Sequence, residues 1–282
     1  MPVTPEENRQ LRQIARELRM TVIDVMTWAG GAHVGGSLSC LDLMTALYFK
    51  YLNIDPQNPD WDERDRFILS KGHAAASYIP VLAKRGFFPE SELRGFNHFG
   101  SPFGMHPDSR KVVGCDVSAG SLGHGLPIAF GMGLGFRYRG TENKVVCIMG
   151  DGECCEGSIW EAAMAIAHYR LTNVIPIVDR NMLMIDAPTE EEIGLEPFAD
   201  KWRAFGFEAL EIDGHDFFEI GRALDTAWAA TEGEKPVVII AKTVKGKGVD
   251  FMENRLEYHY AAGDTTMCAQ AKASIEAMYR EG

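Results

Sequence analysis

Residues 144–188 read KVVCIMGDGECCEGSIWEAAMAIAHYRLTNVIPIVDRNMLMIDAP. Two short apolar runs in this stretch, Val145 to Met149 and Val174 to Val178, predict buried strands. The Ala-rich stretch between them has the composition of a helix. A strand, a helix and a second strand in this order predict a parallel pair joined by a crossover helix.

Each of these predicted strands ends in a polar residue. Asp151 follows the first strand, within Gly150-Asp151-Gly152, and Asn181 follows the second. The carboxyl ends of parallel strands share one edge of the sheet, and ligands bind there. A carboxylate oxygen and an amide oxygen are suitable ligands for a hard cation that also holds phosphate oxygens. The stretch therefore predicts half of such a site.

The alternation of strands and helices continues on both sides of this stretch. We predict helices at about 5–29, at 39–51, from 74 and at 217–231, and strands at 65–69, within 202–212 and at 236–242. This order predicts an α/β fold with a doubly wound parallel sheet flanked by helices. We expect a single domain over residues 1–282, with a loosely anchored tail at about 262–282.

Two local features constrain this fold. Pro176 interrupts the second central strand, and proline has no N–H group for a ladder, so we expect this strand to be short or unpaired locally on one side. Gly131, Gly133 and Gly135 fall in a predicted helix, where each glycine costs roughly 0.5 to 1 kcal/mol against alanine. We therefore expect this helix to pack its backbone closely against a neighbour.

Composition excludes several classes of protein. The 28 Lys plus Arg and 40 Asp plus Glu give a net charge of −12 without a basic run, so nucleic-acid binding has no electrostatic basis. No apolar run is long enough for a transmembrane helix, and the charged amino terminus does not resemble a signal peptide. The six cysteines lack zinc-site spacing and fit reduced thiols, and packing is favoured over redox chemistry for Cys154 and Cys155. We expect a cytoplasmic protein.

Several motifs together resemble the transketolase family. The GDG sequence with Asn181 downstream is similar to the family's fingerprint for thiamine diphosphate and magnesium, and EGSIWEA at 156–162 has the transketolase form. The other motifs that match in order and spacing are GAHVGGSLSCLDL, DRFILSKGHA, MHPD, GSLGHG and VKGKGVDFMEN. The likeness extends over about residues 10–260.

This resemblance implies a thiamine diphosphate-binding fold and a set of binding residues. Asp151, the Asn181 side chain and the Leu183 carbonyl would bind Mg²⁺, for which Ca²⁺ or Mn²⁺ can substitute. Met182 stands where relatives often have glycine. The other residues expected to contact the cofactor are His73, Gly120, Leu122, Gly152, Ile185 and His259.

The resemblance also implies catalytic residues. Ketol transfer moves protons to and from oxygen atoms, and imidazoles with pKa near 6.5 suit this work. The residues at the matching positions are His33, His73, His106 and His259, together with Glu156, which would link paired active sites across a dimer. We expect His98, His124, His168 and His215 to be structural, and Lys245 and Lys247 either face phosphate or lie in a solvated loop.

A partner chain is the last implication of the resemblance. Full-length transketolases continue with a pyrimidine-binding domain and a carboxyl-terminal domain, and the glutamate that activates the cofactor lies in that part. We therefore expect the amino-terminal subunit of a split transketolase, active only with a carboxyl-terminal subunit, as an α₂β₂ assembly. It would transfer a two-carbon ketol unit from a ketose (phosphate) to an aldose (phosphate), with small-molecule sugars as substrates.

Three other functions stay open. The α subunit of a 2-oxo acid dehydrogenase carries the same diphosphate motif, although GSLGHG, MHPD and GAHVGG favour transketolase. Pentose-phosphate metabolism is the leading expectation, and a specialised pathway for branched or sulfonated sugars is the alternative. A non-catalytic thiamine diphosphate-binding module is the third.

Overall fold

Five parallel strands form the centre of the computed structural model, which describes residues 2–281. They are β1 (Arg66–Leu69), β2 (Val145–Gly150), β3 (Val174–Arg180), β4 (Glu208–Asp213) and β5 (Val237–Lys242). Their order across the sheet is β1-β2-β3-β5-β4, and all neighbouring pairs are parallel. The carboxyl ends of all five therefore lie at one edge, which confirms the predicted fold class.

Helices cover both faces of the sheet. They are α1 (Pro5–Trp28), α2 (Val34–Ser39), α3 (Leu41–Ala46), α4 (Ala75–Arg85), α5 (Gly125–Arg139), α6 (Gly157–His168), α7 (Thr189–Glu192), α8 (Phe198–Ala204), α9 (Phe217–Ala229) and α10 (Thr265–Glu281). A π-helical turn extends α3 over Leu47–Tyr51, and short 3₁₀ helices lie at Gly72–Ala74, Glu90–Gly95, Gly152–Cys155 and Leu256–His259.

Two hydrophobic cores form because successive strand residues face opposite sides of the sheet. In β2, Val146 and Ile148 join the core beneath α1, α3, α4 and α9. Val145, Cys147 and Met149 join the core beneath α5, α6 and α8. Burial on both faces explains why the central strands read as continuous apolar runs.

The central strand β3 accommodates Pro176 without being shortened. All its residues are buried, and it pairs with β2 from Val174 to Asp179, with Cys147 opposite Pro176. Its pairing with β5 begins only at Ile177. The expected local gap on one side is confirmed, whereas a short strand is wrong.

The helix that we predicted at 39–51 corresponds to α3 and its π-helical extension, and a separate helix that we did not predict, α2, precedes it from Val34 to Ser39. Gly35 and Gly36 lie inside α2 rather than in a loop, and His33 is the residue before its first turn. A Cβ atom on Gly35 would lie 2.6 Å from the carbonyl oxygen of Tyr258. Glycine therefore lets this helix approach the loop that carries His259.

Close packing of the glycine-containing helix α5 is confirmed at one of the three glycines for which we expected it. A Cβ atom on Gly133 would lie 2.2 Å from Cγ2 of Val174, and the Asn173 side chain donates a 2.9 Å hydrogen bond to the Gly133 carbonyl. Gly131 and Gly135 face open space instead.

The expected tail is a well-packed helix. Ala271 and Ile275 of α10 are fully buried. Glu276 pairs with Arg16 of α1, and the Tyr279 hydroxyl accepts a 2.8 Å hydrogen bond from Arg19. The expectation of loose anchoring is therefore corrected, because the apolar face of α10 is covered by α1.

Within residues 2–281, no helix combines the length and apolar character that crossing a lipid bilayer requires.

Candidate active site

A cavity of about 360 Å³ opens at the carboxyl edge of the sheet. Its walls come from the segments that follow β1, β2, β3 and β5, together with the start of α2 and the loop before α5. The sequence-predicted residues that line it are His33, His73, Gly120, Leu122, Asp151, Gly152, Asn181, Leu183, Ile185 and His259.

Two sequence-predicted residues lie beside this cavity rather than in its wall. The ring of His106 is exposed, 6.2 Å from that of His33, and packs near Gly120. Glu156 is exposed at the residue before α6, where its side chain covers Gly123.

The carboxylate of Asp151 is buried and held in one orientation. Its Oδ1 accepts a 2.8 Å hydrogen bond from the Gly152 N–H, and its Oδ2 accepts from the Met182 N–H at 2.7 Å and from Arg180 at 3.2 Å. Met182 reaches this position with a φ of 67°, in the left-handed region that favours glycine. Burial, followed by the charge of Asp179, raises the pKa of Asp151.

The Asn181 amide is oriented by its neighbours. Its Nδ2 donates to Asp179 at 3.3 Å, and its Oδ1 accepts from the Leu183 N–H at 3.1 Å. These bonds distinguish the two ends of the amide, because the nitrogen faces a carboxylate. The oxygen is therefore the end available to a cation near Asp151 and Leu183.

Asp179 is a fully buried carboxylate at the end of β3. It forms an ion pair with Lys71 and accepts hydrogen bonds from Ser39, at 2.6 Å, and from Thr243. Burial alone would raise its pKa, but the Lys71 ammonium and these hydrogen bonds outweigh burial and lower it. The ion pair with Lys71 and the hydrogen bond from Thr243 fix the segments after β1 and β5 relative to the end of β3.

Lys245 reaches into the cavity from the segment after β5. Its Nζ donates to the Leu183 carbonyl at 3.2 Å and to the Met184 carbonyl at 2.7 Å. Burial, followed by the charge of Lys71, lowers the pKa of Lys245 to about 8. The solvated-loop alternative is therefore wrong for Lys245, whereas Lys247 lies outside the cavity wall and pairs with Glu253.

Four imidazoles meet at the mouth and wall of the cavity. The ring of His33 lies 5.4 Å from those of His73 and His259, and the rings of His73 and His259 are 5.3 Å apart. Burial, followed by the charge of Lys71, lowers the pKa of His73 to about 2. Burial, followed by the charge of Lys245, lowers the pKa of His259 to about 4. Both rings are therefore neutral at neutral pH.

The other four histidines lie outside the cavity wall. His98 bonds the Trp28 carbonyl at 2.9 Å, and His124 bonds the Leu122 carbonyl at 3.0 Å. His215 lies between the Asp42 carboxylate and the Val244 N–H, at 2.8 Å and 2.9 Å. His168 is exposed at the end of α6.

Sequence reasoning assigned no role to several residues of the cavity wall. They are Gly36, Lys71, Gly150, Glu153, Met184, Asp186 and Glu192. Lys71 lies inside the SKGH motif and Glu153 directly after GDG, so a signal for these two was present in the sequence.

A larger cavity, of about 960 Å³, lies among loops that include Asn53, Asn143 and Lys144. These loops precede β1 and β2, at the amino edge of the sheet. Ligands of parallel sheets bind at the carboxyl edge. None of the sequence-predicted site residues lines this larger cavity.

Comparison with known proteins shows the family of this chain. The model of the family described as "Transketolase, thiamine diphosphate binding domain" matches residues 10–277. The 6-deoxy-6-sulfo-D-fructose transketolase subunit SqwG of Clostridium sp. is 42% identical over 96% of this chain and 98% of its own length. An apulose-4-phosphate transketolase subunit of Actinobacillus succinogenes is 40% identical over 89% of this chain and 90% of its own.

Single-chain transketolases match over part of their length. Human transketolase is 36% identical over 88% of this chain and 39% of its own length. The crystal structure of Campylobacter jejuni transketolase superposes with a TM-score of 0.88 and 30% identity, over 95% of this chain and 43% of that one. This chain thus spans about two fifths of such proteins, and it belongs to the transketolase family, in the part that forms the thiamine diphosphate-binding domain.

Proposed function

We propose that this chain is the amino-terminal subunit of a two-chain transketolase, which transfers a two-carbon ketol unit from a ketose to an aldose. The observation that carries the proposal is the single cavity that joins Asp151, Asn181 and Leu183 with His33, His73 and His259. Relatives named as transketolase subunits have nearly the same length as this chain. This combination favours a transketolase subunit over a dehydrogenase subunit or a non-catalytic module.

The residues present fit a hard divalent cation beside the cofactor's diphosphate. Asp151, Asn181 and the Leu183 carbonyl offer three oxygen atoms to one cavity, and the Asp179 carboxylate orients the Asn181 amide. In the structure the Lys245 ammonium donates to the Leu183 carbonyl, so this oxygen already accepts a positively charged group. Mg²⁺, or Ca²⁺ or Mn²⁺ in its place, would supply positive charge that neutralises phosphate oxygens.

The chain's own residues would bind and orient the cofactor. Gly152 leaves the backbone accessible to phosphate, and Ile185, 61% exposed, offers an apolar side chain to a ring. Gly120 and Leu122 present backbone groups from the opposite wall. Thiamine diphosphate, when bound, would supply the carbanion chemistry of ketol transfer.

The histidines would handle the protons of the substrate. Within residues 2–281, the Nδ1 atoms of His33 and His259 are buried and have no hydrogen-bond partner, so no contact at Nδ1 fixes the tautomer of either ring. His73 is neutral, so one of its ring nitrogens can donate a hydrogen bond and the other can accept one. His106, at the mouth, would contact the part of the substrate that extends outward.

The proposed partner is a carboxyl-terminal subunit with pyrimidine-binding and carboxyl-terminal domains, in an α₂β₂ assembly. Relatives named as subunits support a partner. Glu156, exposed beside the cavity, is available for contact with another chain. Six free cysteines fit a reducing cytoplasm, where we place the protein.

We propose a sugar with an anionic distal group as the substrate, in a specialised pathway rather than in pentose-phosphate metabolism. The relatives at 42% and 40% identity are named for a sulfonated ketose and for apulose 4-phosphate, whereas human transketolase is 36% identical. A panel of phosphorylated and sulfonated ketose donors would test this choice.

The central experiment mixes the purified chain with a carboxyl-terminal transketolase subunit from the same organism, thiamine diphosphate and Mg²⁺. We expect ketol transfer from the mixture and none from this chain alone. Turnover by the chain alone would refute the split site, and an inactive mixture that binds no cofactor would refute the function. In calorimetry, Asp151→Asn should weaken Mg²⁺-dependent cofactor binding, whereas the exposed Asp60→Asn should not; equal affinities would remove Asp151 from the cation site.

A further inference from the structure

Glu153 is a buried acid whose carboxylate is fully engaged by the protein. It lies in the 3₁₀ turn that follows Asp151, and only 3% of its surface is exposed. Its Oε1 accepts hydrogen bonds from the Ser70 hydroxyl and, at 2.9 Å, from the Gly123 N–H. Its Oε2 accepts from the Gly150 N–H at 3.0 Å. A buried carboxylate is retained in a fold only when such donors compensate its lost hydration.

These bonds join three segments that are distant in the chain. Ser70 follows β1, Gly150 ends β2, and Gly123 lies in the turn before α5. The Ser70 hydroxyl also accepts a 3.0 Å hydrogen bond from the Gly125 N–H. Glu153 and Ser70 therefore hold two N–H groups of the same turn against the ends of β1 and β2.

The turn at residues 120–125 is also held from its other side. Gly123 has a φ of 79°, and its carbonyl accepts a 2.8 Å hydrogen bond from the Ser158 hydroxyl. A Cβ atom on Gly125 would lie 2.3 Å from the Ser70 hydroxyl oxygen. The peptide at Gly123 is thus bonded on both its N–H and its C=O, with little space for movement.

This turn and the end of β2 form opposite walls of the cavity. Gly120 and Leu122 line it from the turn, and Asp151 and Gly152 line it from the strand end. Glu153 is bonded to both walls. Building on the proposed function, we propose that Glu153 is a positioning residue. It sets the distance between the wall at Gly120 and Leu122, which would contact the cofactor's aminopyrimidine ring, and the wall at Asp151 and Gly152, which would hold the diphosphate.

The test compares a ligand that spans both walls with one that uses a single wall. Glu153→Gln keeps the size of the side chain but directs an NH₂ group at one of the three donors. We measure the binding of thiamine diphosphate and of inorganic pyrophosphate to the full chain with Mg²⁺ by calorimetry. We expect the affinity for thiamine diphosphate to fall by about 10- to 100-fold, the range found when groups that orient a site are removed. The affinity for pyrophosphate should stay unchanged.

A second variant and a control make the result decisive. Ser158→Ala removes the contact to the Gly123 carbonyl without touching a buried charge, so it decides the question if Glu153→Gln does not fold. Ser158→Ala should lower the affinity for thiamine diphosphate less than Glu153→Gln does, and it should leave the affinity for pyrophosphate unchanged. Glu161→Gln, on the exposed face of α6, should bind both ligands as the wild type does.

Hydrogen exchange gives an independent readout without ligand. We expect faster exchange of the amides at residues 121–126 in Glu153→Gln, because two of their hydrogen bonds depend on this carboxylate directly or through Ser70. Equal losses for both ligands, or wild-type affinity for both in the folded variants, would refute the positioning role while the proposed function stands. If the wild-type chain binds neither ligand, both alone and together with its carboxyl-terminal subunit, the proposed function is refuted, and the positioning role with it.

Discussion

Acid should destabilise this fold, and His73 should account for a measurable part of the effect. Its ring is packed against those of His33 and His259, near the Lys71 ammonium. Burial, followed by the Lys71 charge, lowers its pKa to about 2, whereas an unfolded histidine titrates near 6.5. Between these values the unfolded chain binds one proton more than the folded chain. The free energy of unfolding therefore falls as the pH decreases through this window.

The magnitude follows from proton linkage. For a group with an unfolded pKa of about 6.5 that stays neutral in the fold, the loss between about pH 7.5 and about pH 5 is about 2 kcal/mol. His73→Gln removes the contribution of His73 to this pH dependence, while it keeps a polar side chain of similar length. The variant should therefore lose about 2 kcal/mol less than the wild type over the same interval.

Urea unfolding followed by tryptophan fluorescence measures this difference. We compare the free energy of unfolding at both pH values for the wild type, for His73→Gln and for the control His168→Gln. His168 is exposed, so its variant should lose as much stability on acidification as the wild type. If His73→Gln also loses as much as the wild type, His73 takes up its proton in the folded chain and the reasoning is refuted.

Three further predictions concern packing and buried charge. Gly133→Ala should destabilise by about 1 to 3 kcal/mol, because its Cβ would overlap Val174, whereas Gly131→Ala on the same helix should stabilise by about 0.5 to 1 kcal/mol; equal thermal-melting shifts would contradict this. Lys71→Met should cost about 3 to 5 kcal/mol in urea unfolding, since Asp179 would be left buried without its cation, and a loss below about 1 kcal/mol would show that the pair is dispensable. Ile275→Ala should cost about 2 to 5 kcal/mol if α10 is anchored as described, whereas a frayed helix would show no change in melting temperature.

The sheet could be predicted from the sequence because its signals are local. The runs at Val145 and Val174 are apolar throughout because both faces of β2 and β3 are covered, and the polar residues that follow show where each strand ends. The start of α2 could not be predicted, because its glycines are tolerated for a tertiary reason, the approach of the Tyr258 carbonyl to Gly35. The packing of α10 depends likewise on α1, which is distant in the chain.

The residues of the candidate site likewise fall into those that local sequence signals locate and those that such signals do not. Asp151 and Asn181 follow strand ends, so their meeting could be inferred from strand order alone. The histidines at 33, 73 and 259 come from three separate segments, and only the family resemblance connected them. Lys71 pairs with Asp179, which is 108 positions away, and Glu153 bonds Ser70, which is 83 positions away. No local pattern could reveal these two contacts.

The two lysines of the cavity differ in how their charges are compensated. Lys71 is paired with the Asp179 carboxylate and also donates to the Gly36 carbonyl, so its charge is neutralised inside the protein. The hydrogen bonds that the structure gives Lys245 within residues 2–281 go to two neutral carbonyls, Leu183 and Met184, rather than to a carboxylate. An anion that enters the cavity gains more from the uncompensated charge, because a paired ammonium would first have to give up its carboxylate. We therefore infer that Lys245, rather than Lys71, is the lysine that faces a bound diphosphate.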